Sequence, residues 1–410
     1  MVITIMAVGT RGDIDPMLAF GVALSGAGHD VRLATHPKFQ QRVEAFALDF
    51  APLAEGDVSK GLATEQGRRW LQRDSKRLPT VVALIRDARS VARRRLADAL
   101  SACAGSDAIV VGELGLLLGW QMSRRYEVPL VRVRPSPPAR LASGPAGAIV
   151  RQAAWLLARP WLNSVRRRVG LGRLPMREPL AALEAERTLE LHAYSRAVAP
   201  APRAGRPWAP ITGYWFLEAS LDREPTEQLR RFVEAGPPPV SIGFGSMGTA
   251  EPSAMAKIAV QALDGRRGVL VGDLKDVELP PSVHAVAGVD HGWLFARCAA
   301  AVHHGGAGTT AAALRAGVPS VIVPHMLDQR TWGRRLQELE ASPPPIPRRK
   351  LDAERLGAAI AAAVEDRRFA RRTAELSKQI ADEDGLANAL EAFGTHLNVA
   401  ARRVTTTTHG

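Results

Sequence analysis

Short apolar runs that end at a glycine or an aspartate alternate with amphipathic helical stretches twice along this chain, once from Val2 and again from Pro239. That alternation is the sequence form of βαβ units, because a strand can rejoin a parallel neighbour only through a crossover of a dozen or more residues, usually a helix. It restricts the fold to α/β with parallel sheets. The length points to two such units: 410 residues exceed the roughly 250–300 at which one hydrophobic core stops growing. In the first half Val2–Val8, Val31–Ala34, Ala108–Val111 and Leu130–Val133 read as strands, with a helix over Met17–Ser25 that Asp15 caps and Pro16 opens. The arginine-rich run Lys60–Arg95 reads as helical. In the second half Pro239–Gly243, Gly268–Gly272, Ala299–His303 and Ser320–Val323 read as strands, and Pro252–Asp264 as a helix. Residues 206–225, rich in proline and tryptophan, read as a linker between domains at 1–205 and 226–375, and the threonine-rich tail Arg402–Gly410 as disordered.

Several function classes drop out on composition. The cysteines, Cys103 and Cys298, are too few and too far apart for a disulfide framework, which suits a reducing, cytoplasmic location. The start, MVITIMAVG, reads as a strand and not as a signal peptide. The longest stretch free of charged side chains, Cys298–Leu314, carries two histidines and several glycines, which excludes a membrane span there. A net charge of +13 favours anionic partners, but the excess is mostly arginine, as a GC-rich genome supplies. No motif for nucleic acid accompanies it. Between Pro135 and Arg177, Trp155, Leu156, Leu157, Trp161 and Leu162 stand among Arg151, Arg159 and Arg166–Arg168, punctuated by Pro160. The favoured reading of this basic segment, 137–175, is a helix packed on its own domain. An amphipathic segment in peripheral contact with a membrane is the alternative.

Three segments fall at the carboxyl ends of strands, where open α/β sheets hold their ligands. Gly9-Thr10-Arg11-Gly12-Asp13-Ile14-Asp15-Pro16 turns a strand sharply into a helix and puts Asp13 on the loop, where a carboxylate at a cleft can serve as a general base. Its Asp-x-Asp spacing also matches a short metal–diphosphate pattern. Gly243-Phe244-Gly245-Ser246-Met247-Gly248 spells a dinucleotide fingerprint after a strand, so an NAD-dependent oxidoreductase is a competing reading. The third segment, His303-His304-Gly305-Gly306-Ala307-Gly308-Thr309-Thr310, precedes an alanine-rich helix. Small residues at a helix entrance let backbone N–H groups face an anion, so this is a diphosphate cradle, and it lacks the Gly-Lys-Ser/Thr ending of a nucleotide triphosphatase. Downstream, Asp328 and Gln329 offer acceptors and donors suited to sugar hydroxyls.

His303–Thr310, Pro324 through Asp328-Gln329, Pro347–Leu351 and the Gly9–Pro16 loop together resemble the nucleotide-sugar-dependent glycosyltransferases of the GT-B fold. The similarity is greatest to the branch of glycopeptide- and polyketide-antibiotic and sterol glycosyltransferases. This resemblance implies two Rossmann-like, doubly wound domains facing across a cleft, with a C-terminal helix at 376–400 crossing back to the first. It implies a UDP- or TDP-linked sugar as co-substrate, no cofactor and no metal. It also implies inverting transfer of a hexose or deoxyhexose to a hydroxyl of a small acceptor. Gly56–Arg95 and Pro135–Arg177 are expected to shape the acceptor pocket, their leucine and tryptophan content suggests an apolar acceptor, and the chain is expected to be a monomer or homodimer. Residue by residue, Asp13 stands where many relatives carry a catalytic histidine. His303, His304, Gly305, Gly306, Gly308, Thr309 and Ser246 match the diphosphate site, Gly245, Met247 and Trp293 the nucleoside site, and Asp328 with Gln329 the sugar site. Glu113 falls in the acceptor pocket.

Overall fold

The computed structural model describes residues 1–55, 91–137, 144–199, 205–217, 224–243, 252–272, 274, 277–325 and 327–407. The first sheet contains β1 (Val2–Met6), β2 (Asp30–Thr35), β3 (Asp49–Pro52), β4 (Ala108–Gly112), β5 (Leu130–Arg134) and β6 (Glu190–His192). The second contains β7 (Val240–Gly243), β8 (Gly268–Val271), β9 (Val283–Val286), β10 (Ala300–His303) and β11 (Ser320–Ile322). Every pairing is parallel, in the orders β3-β2-β1-β4-β5-β6 and β11-β10-β7-β8-β9. Each sheet therefore starts at a central strand, winds outward on one side, and then returns to wind outward on the other. The reversal falls between β1 and β4 in one sheet and between β7 and β10 in the other, and a crevice opens at such a point. These are the two Rossmann-like domains expected from the sequence. The central strands are largely apolar because both faces are covered: Ile3, Ile5 and Ala7 enter one core of the first domain, and Met6 and Val8 the other.

Among the described residues the first domain has helices α1 (Arg11–Gly26), α2 (Gln40–Glu44), α3 (Leu116–Tyr126), α4 (Gly144–Arg167) and α5 (Pro179–Ala185). Residues 91–102 are helical as well, while most of the run Lys60–Arg95 expected to be helical lies outside the described residues. After them come α6 (Glu227–Glu234), α7 (Pro252–Leu263), α8 (His291–Phe295), α9 (Ala307–Arg315), α10 (Leu327–Glu338), α11 (Ala353–Glu365), α12 (Arg367–Ala381) and α13 (Gly385–Thr407). Several of these differ from expectation. Helix α1 begins well before Met17, because Thr10 and not Asp15 is its N-cap. Asp13, three residues on, bonds back to the Thr10 backbone and completes a capping box. Asp15 instead receives the guanidinium groups of Arg11 and Arg42. Helix α4 runs through Pro160, and α13 continues to Thr407, so most of the tail expected to be disordered is helical.

The stretch expected as linker begins inside the first domain. Ile211 forms a parallel bridge with His192, and Trp215 stacks on Phe20 with ring centroids 4.7 Å apart. On the return, the single crossing helix expected at 376–400 is two helices. Leu376 on α12 packs with the second domain, while Phe393 on α13 meets the edge of Phe20 at 5.8 Å. The outgoing and returning chain touch at two glycines. Gly213 has φ +106°, and a Cβ on Gly385 would stand 2.2 Å from the Tyr214 carbonyl oxygen. Glu383 ties the crossing by accepting from Ser195 Oγ at 3.0 Å and from the Arg196 N–H at 3.1 Å.

Candidate active site

The two points of sheet reversal face one another. The loop after β1 leads into α1, the loop after β10 leads into α9, and the two helices meet at their first turns: a Cβ on Gly308 would lie 3.8 Å from Gly12 Cα. Two helix N-termini, one from each domain, thus border a single space. Each brings the positive end of a helix dipole, and that of α9 has no side-chain cap.

The α9 terminus is open and free of acidic side chains. Its N-cap is Gly306, which has no side chain to satisfy the first-turn N–H groups, and no acidic residue lies in that turn. Gly308 is exposed and Thr309 half-buried at this end. Gly305 must be glycine on two counts: its φ is +83°, and a Cβ there would come within 2.8 Å of Ile322 Cγ2 and 3.1 Å of the Gln329 carbonyl oxygen. His304 is half-buried beside the turn, with its Nε2 2.5 Å from where a Cβ on Gly306 would stand. His303, expected to touch the diphosphate, instead supports the turn from beneath. It is 1 % exposed, its Nδ1 accepts the Gly305 N–H at 3.1 Å, and its Nε2 lies 3.1 Å from Ser320 Oγ. With Nδ1 accepting, the proton sits on Nε2. Burial, followed by the charges of His304 and His291, holds the His303 pKa well below the usual imidazole value.

On the other side, Asp13 is half-buried and its Oδ2 accepts from the Thr10 backbone N–H at 2.9 Å and from Thr10 Oγ1 at 3.0 Å. Gly9, at φ +137°, leaves room for that carboxylate, since a Cβ there would stand 2.4 Å from it. Sequence reasoning missed the residue that holds this loop from the β2 side. His36 is 4 % exposed, its Nε2 accepts the Gly9 N–H at 3.3 Å, and its Nδ1 faces the Leu53 carbonyl at 3.3 Å. Burial lowers its pKa, and the neutral ring is the form that can accept from Gly9. The only signal in the sequence was its position at the end of a strand, next to Pro37. Glu113 follows β4 at the same edge, about half exposed, and receives Arg134 Nη2 at 2.7 Å.

The remaining expected residues are distributed differently. Gly245, Ser246 and Met247 lie outside the described residues. Asp328 is in the first turn of α10, but its side chain is outside them too. Gln329 is 5 % exposed and turns its side-chain oxygen to the His325 N–H at 2.7 Å, so it holds the turn that precedes α10. Trp293 is half-buried on α8, its ring flanked by Arg297 at 4.6 Å and Arg230 at 5.7 Å from the centroid.

Comparison with known proteins agrees with this geometry. Residues 3–114 match the glycosyltransferase family 28 N-terminal domain, and residues 259–388 the C-terminal domain of erythromycin biosynthesis protein CIII-like proteins. A sterol 3-beta-glucosyltransferase of Arabidopsis thaliana, UGT80B1, is 33% identical over 430 residues, covering 96% of this chain and 68% of the relative. One from Yarrowia lipolytica is 31% identical over 437 residues, covering 98% of this chain but 29% of that much longer protein. Among solved structures, the calicheamicin glycosyltransferase CalG4 superposes with a TM-score of 0.72 at 18% identity, covering 98% of this chain and 99% of that one. The spinosyn rhamnosyltransferase SpnG complexed with thymidine diphosphate gives 0.66 at 18%, covering 96% and 100%. Nothing among these supports the oxidoreductase reading of the Gly243–Gly248 loop. The chain belongs to the GT-B glycosyltransferases, in the family that includes the sterol 3-beta-glucosyltransferases.

Proposed function

We propose that this protein transfers a sugar from a UDP- or TDP-linked donor to a hydroxyl of a small lipophilic acceptor of the sterol or polyketide type, with inversion at the anomeric carbon. The observation that carries the reading is the meeting of the α1 and α9 N-termini at Gly12 and Gly308, which sets the Asp13 turn beside the diphosphate cradle. The acceptor classes follow the names of the relatives: sterol for UGT80B1, calicheamicin for CalG4 and spinosyn for SpnG. In the proposed reaction the Asp13 carboxylate takes the proton of the acceptor hydroxyl. The oxygen bonds to the anomeric carbon as the bond from that carbon to the phosphate oxygen breaks, and the nucleoside diphosphate leaves with the electron pair. The α9 N–H groups, with His304 and Thr309 beside them, receive the growing negative charge, which is the part a divalent cation plays elsewhere. His303 and Gln329 act as positioning residues that hold the cradle and the turn before α10. Asp328, Ser246, Met247, Gly245 and Trp293 complete the donor site in this proposal, and Glu113 the acceptor pocket. The protein works without a resident cofactor.

Asp13→Asn tests the proposal. The asparagine oxygen can still accept the Thr10 N–H, so the fold and donor affinity are expected to persist, while turnover with a UDP- or TDP-sugar and a hydroxysterol falls by about 10²–10⁴-fold, the range for general-base catalysis. Product of inverted configuration, formed undiminished in the presence of EDTA, is the accompanying result. A variant that keeps more than a tenth of the native rate would remove Asp13 from the mechanism, and loss of turnover with EDTA that manganese restores would remove the metal-free account.

A further inference from the structure

Helix α4 wears its apolar side outward. On a 3.6-residue repeat, Ile149, Val150, Ala153, Leu156, Leu157 and Pro160 fall on one face, and every exposed residue from 149 to 160 is apolar. Leu157 is 83% exposed, Ile149 71% and Val150 68%. With Leu156 and Met176, these make five of the eight large hydrophobic side chains exposed among the described residues. Apart from Arg167 at its end, the polar residues of the helix turn the other way and bond within the domain. Arg151 bonds Glu178, Gln152 the Met176 carbonyl, Arg159 the Leu174 carbonyl and Arg166 the Gly172 carbonyl, while Asn163 receives the Leu174 N–H. Trp155 fills the core. A helix packed on a water-soluble domain has the opposite arrangement.

The charge around this face has one sign. Between Glu127 and Glu178 the chain carries ten arginines and neither aspartate nor glutamate. Of these, Arg167, Arg168, Arg173 and Arg177 are exposed. An apolar strip bordered by cations fits a surface that is apolar below and anionic above. No helix among the described residues is long and apolar enough to cross a membrane, so such a contact lies in the plane of the surface. A second copy of the chain fits less well, since a two-fold interface sets a patch against itself and would oppose arginines to arginines.

We propose that α4 docks this protein on an anionic lipid bilayer, with Ile149, Val150, Leu156 and Leu157 entering the boundary between headgroups and acyl chains and the flanking arginines on lipid phosphates. The proposal does not rest on the transfer reaction: it is argued from the exposure and the charge of this face alone. Sedimentation of the full chain with vesicles tests it. The native protein is expected to pellet with phosphatidylcholine vesicles containing phosphatidylglycerol and to stay in solution with phosphatidylcholine alone. Arg167→Glu/Arg168→Glu should weaken binding at least on the order of tenfold, and Leu156→Glu/Leu157→Glu should abolish it, with thermal melting of both variants unchanged because the altered side chains are exposed. Native protein that remains in solution with the anionic vesicles, or a leucine variant that pellets like the native chain, overturns the proposal. So does a native dimer that the leucine variant dissolves without any vesicle binding, which would make the strip a self-association surface.

Discussion

Replacing Gly305 with alanine is expected to damage the fold, whereas the same change at Gly308 should damage donor binding alone. At Gly305 the new residue must hold φ near +83°, and its Cβ would stand 2.8 Å from Ile322 Cγ2 and 3.1 Å from the Gln329 carbonyl oxygen. The left-handed backbone costs an alanine about 1–2 kcal/mol. Forcing a methyl into a filled core costs about 1–3 kcal/mol more, and little of that can relax, because Ile322 is fully buried and the second neighbour is backbone. With roughly 2–4 °C lost per kcal/mol in a domain of this size, the melting temperature should fall by on the order of 10 °C. Gly308 has neither constraint: it lies inside α9, is exposed, and its nearest neighbour would be 3.8 Å away. Alanine there gains up to about 1 kcal/mol of helix propensity, so melting should hold or rise. Its methyl, however, projects toward Gly12 into the space assigned to the diphosphate, and UDP or TDP affinity should drop at least about tenfold, equivalent to ~1.4 kcal/mol. Thermal melts and calorimetric titration of both variants decide the matter. If Gly308→Ala binds both nucleotides as tightly as the native chain, the diphosphate does not sit between α1 and α9; if Gly305→Ala melts normally, the turn is not held as described.

Acid should destabilise the protein between pH 6.5 and about 4. His36 and His303 have lowered pKa values, and those of His192 and His325 fall to about 4, in each case chiefly through burial. The unfolded chain then binds more protons than the folded one in this range, so stability is full above 6.5 and declines as pH falls. Denaturant midpoints measured at pH 7 and pH 5 check the sign, and His36→Gln, whose side-chain oxygen can accept the Gly9 N–H, should show a smaller decline than the native chain. Phe393→Ala, which removes a side chain 1 % exposed against Phe20, should cost about 3–5 kcal/mol. A loss under 1 kcal/mol in denaturant unfolding would mean that α13 contributes little to the first domain's core.

The parts of the fold legible in the sequence were those set by local chemistry. Buried parallel strands announce themselves as unbroken apolar runs, and the glycines at 305, 306 and 308 before an alanine-rich helix announce an open N-terminus. What was not legible depended on residues brought together from afar. Asp15 looked like an N-cap because it precedes Pro16, yet Arg42, remote in sequence, claims it and leaves the cap to Thr10. The paired histidines looked alike, but the β10–β11 pairing brings Ser320 to His303 and draws that ring inward. Trp215 sat in a proline-rich stretch with every mark of a linker, and only the stack on Phe20 reveals it as core. Pro160 was read as punctuation although α4 passes through it.

The contact between Gly213 and Gly385 has a mechanical meaning. Shortly before the chain leaves the first domain, at Gly213, the chain returning to that domain meets it at Gly385, at backbone-to-backbone distance. Two tethers set far apart would lock the halves against each other, as two hinges on perpendicular edges lock a door. Two tethers pinned side by side would confine any swing of the halves to one pivot, like the arms of tweezers, with each sheet kept intact. A nucleotide held by both tips, at the first turns of α1 and α9, would act with the full length of the arms as lever, so small rotations at the two glycines become large openings where the sugar must enter and the product must leave.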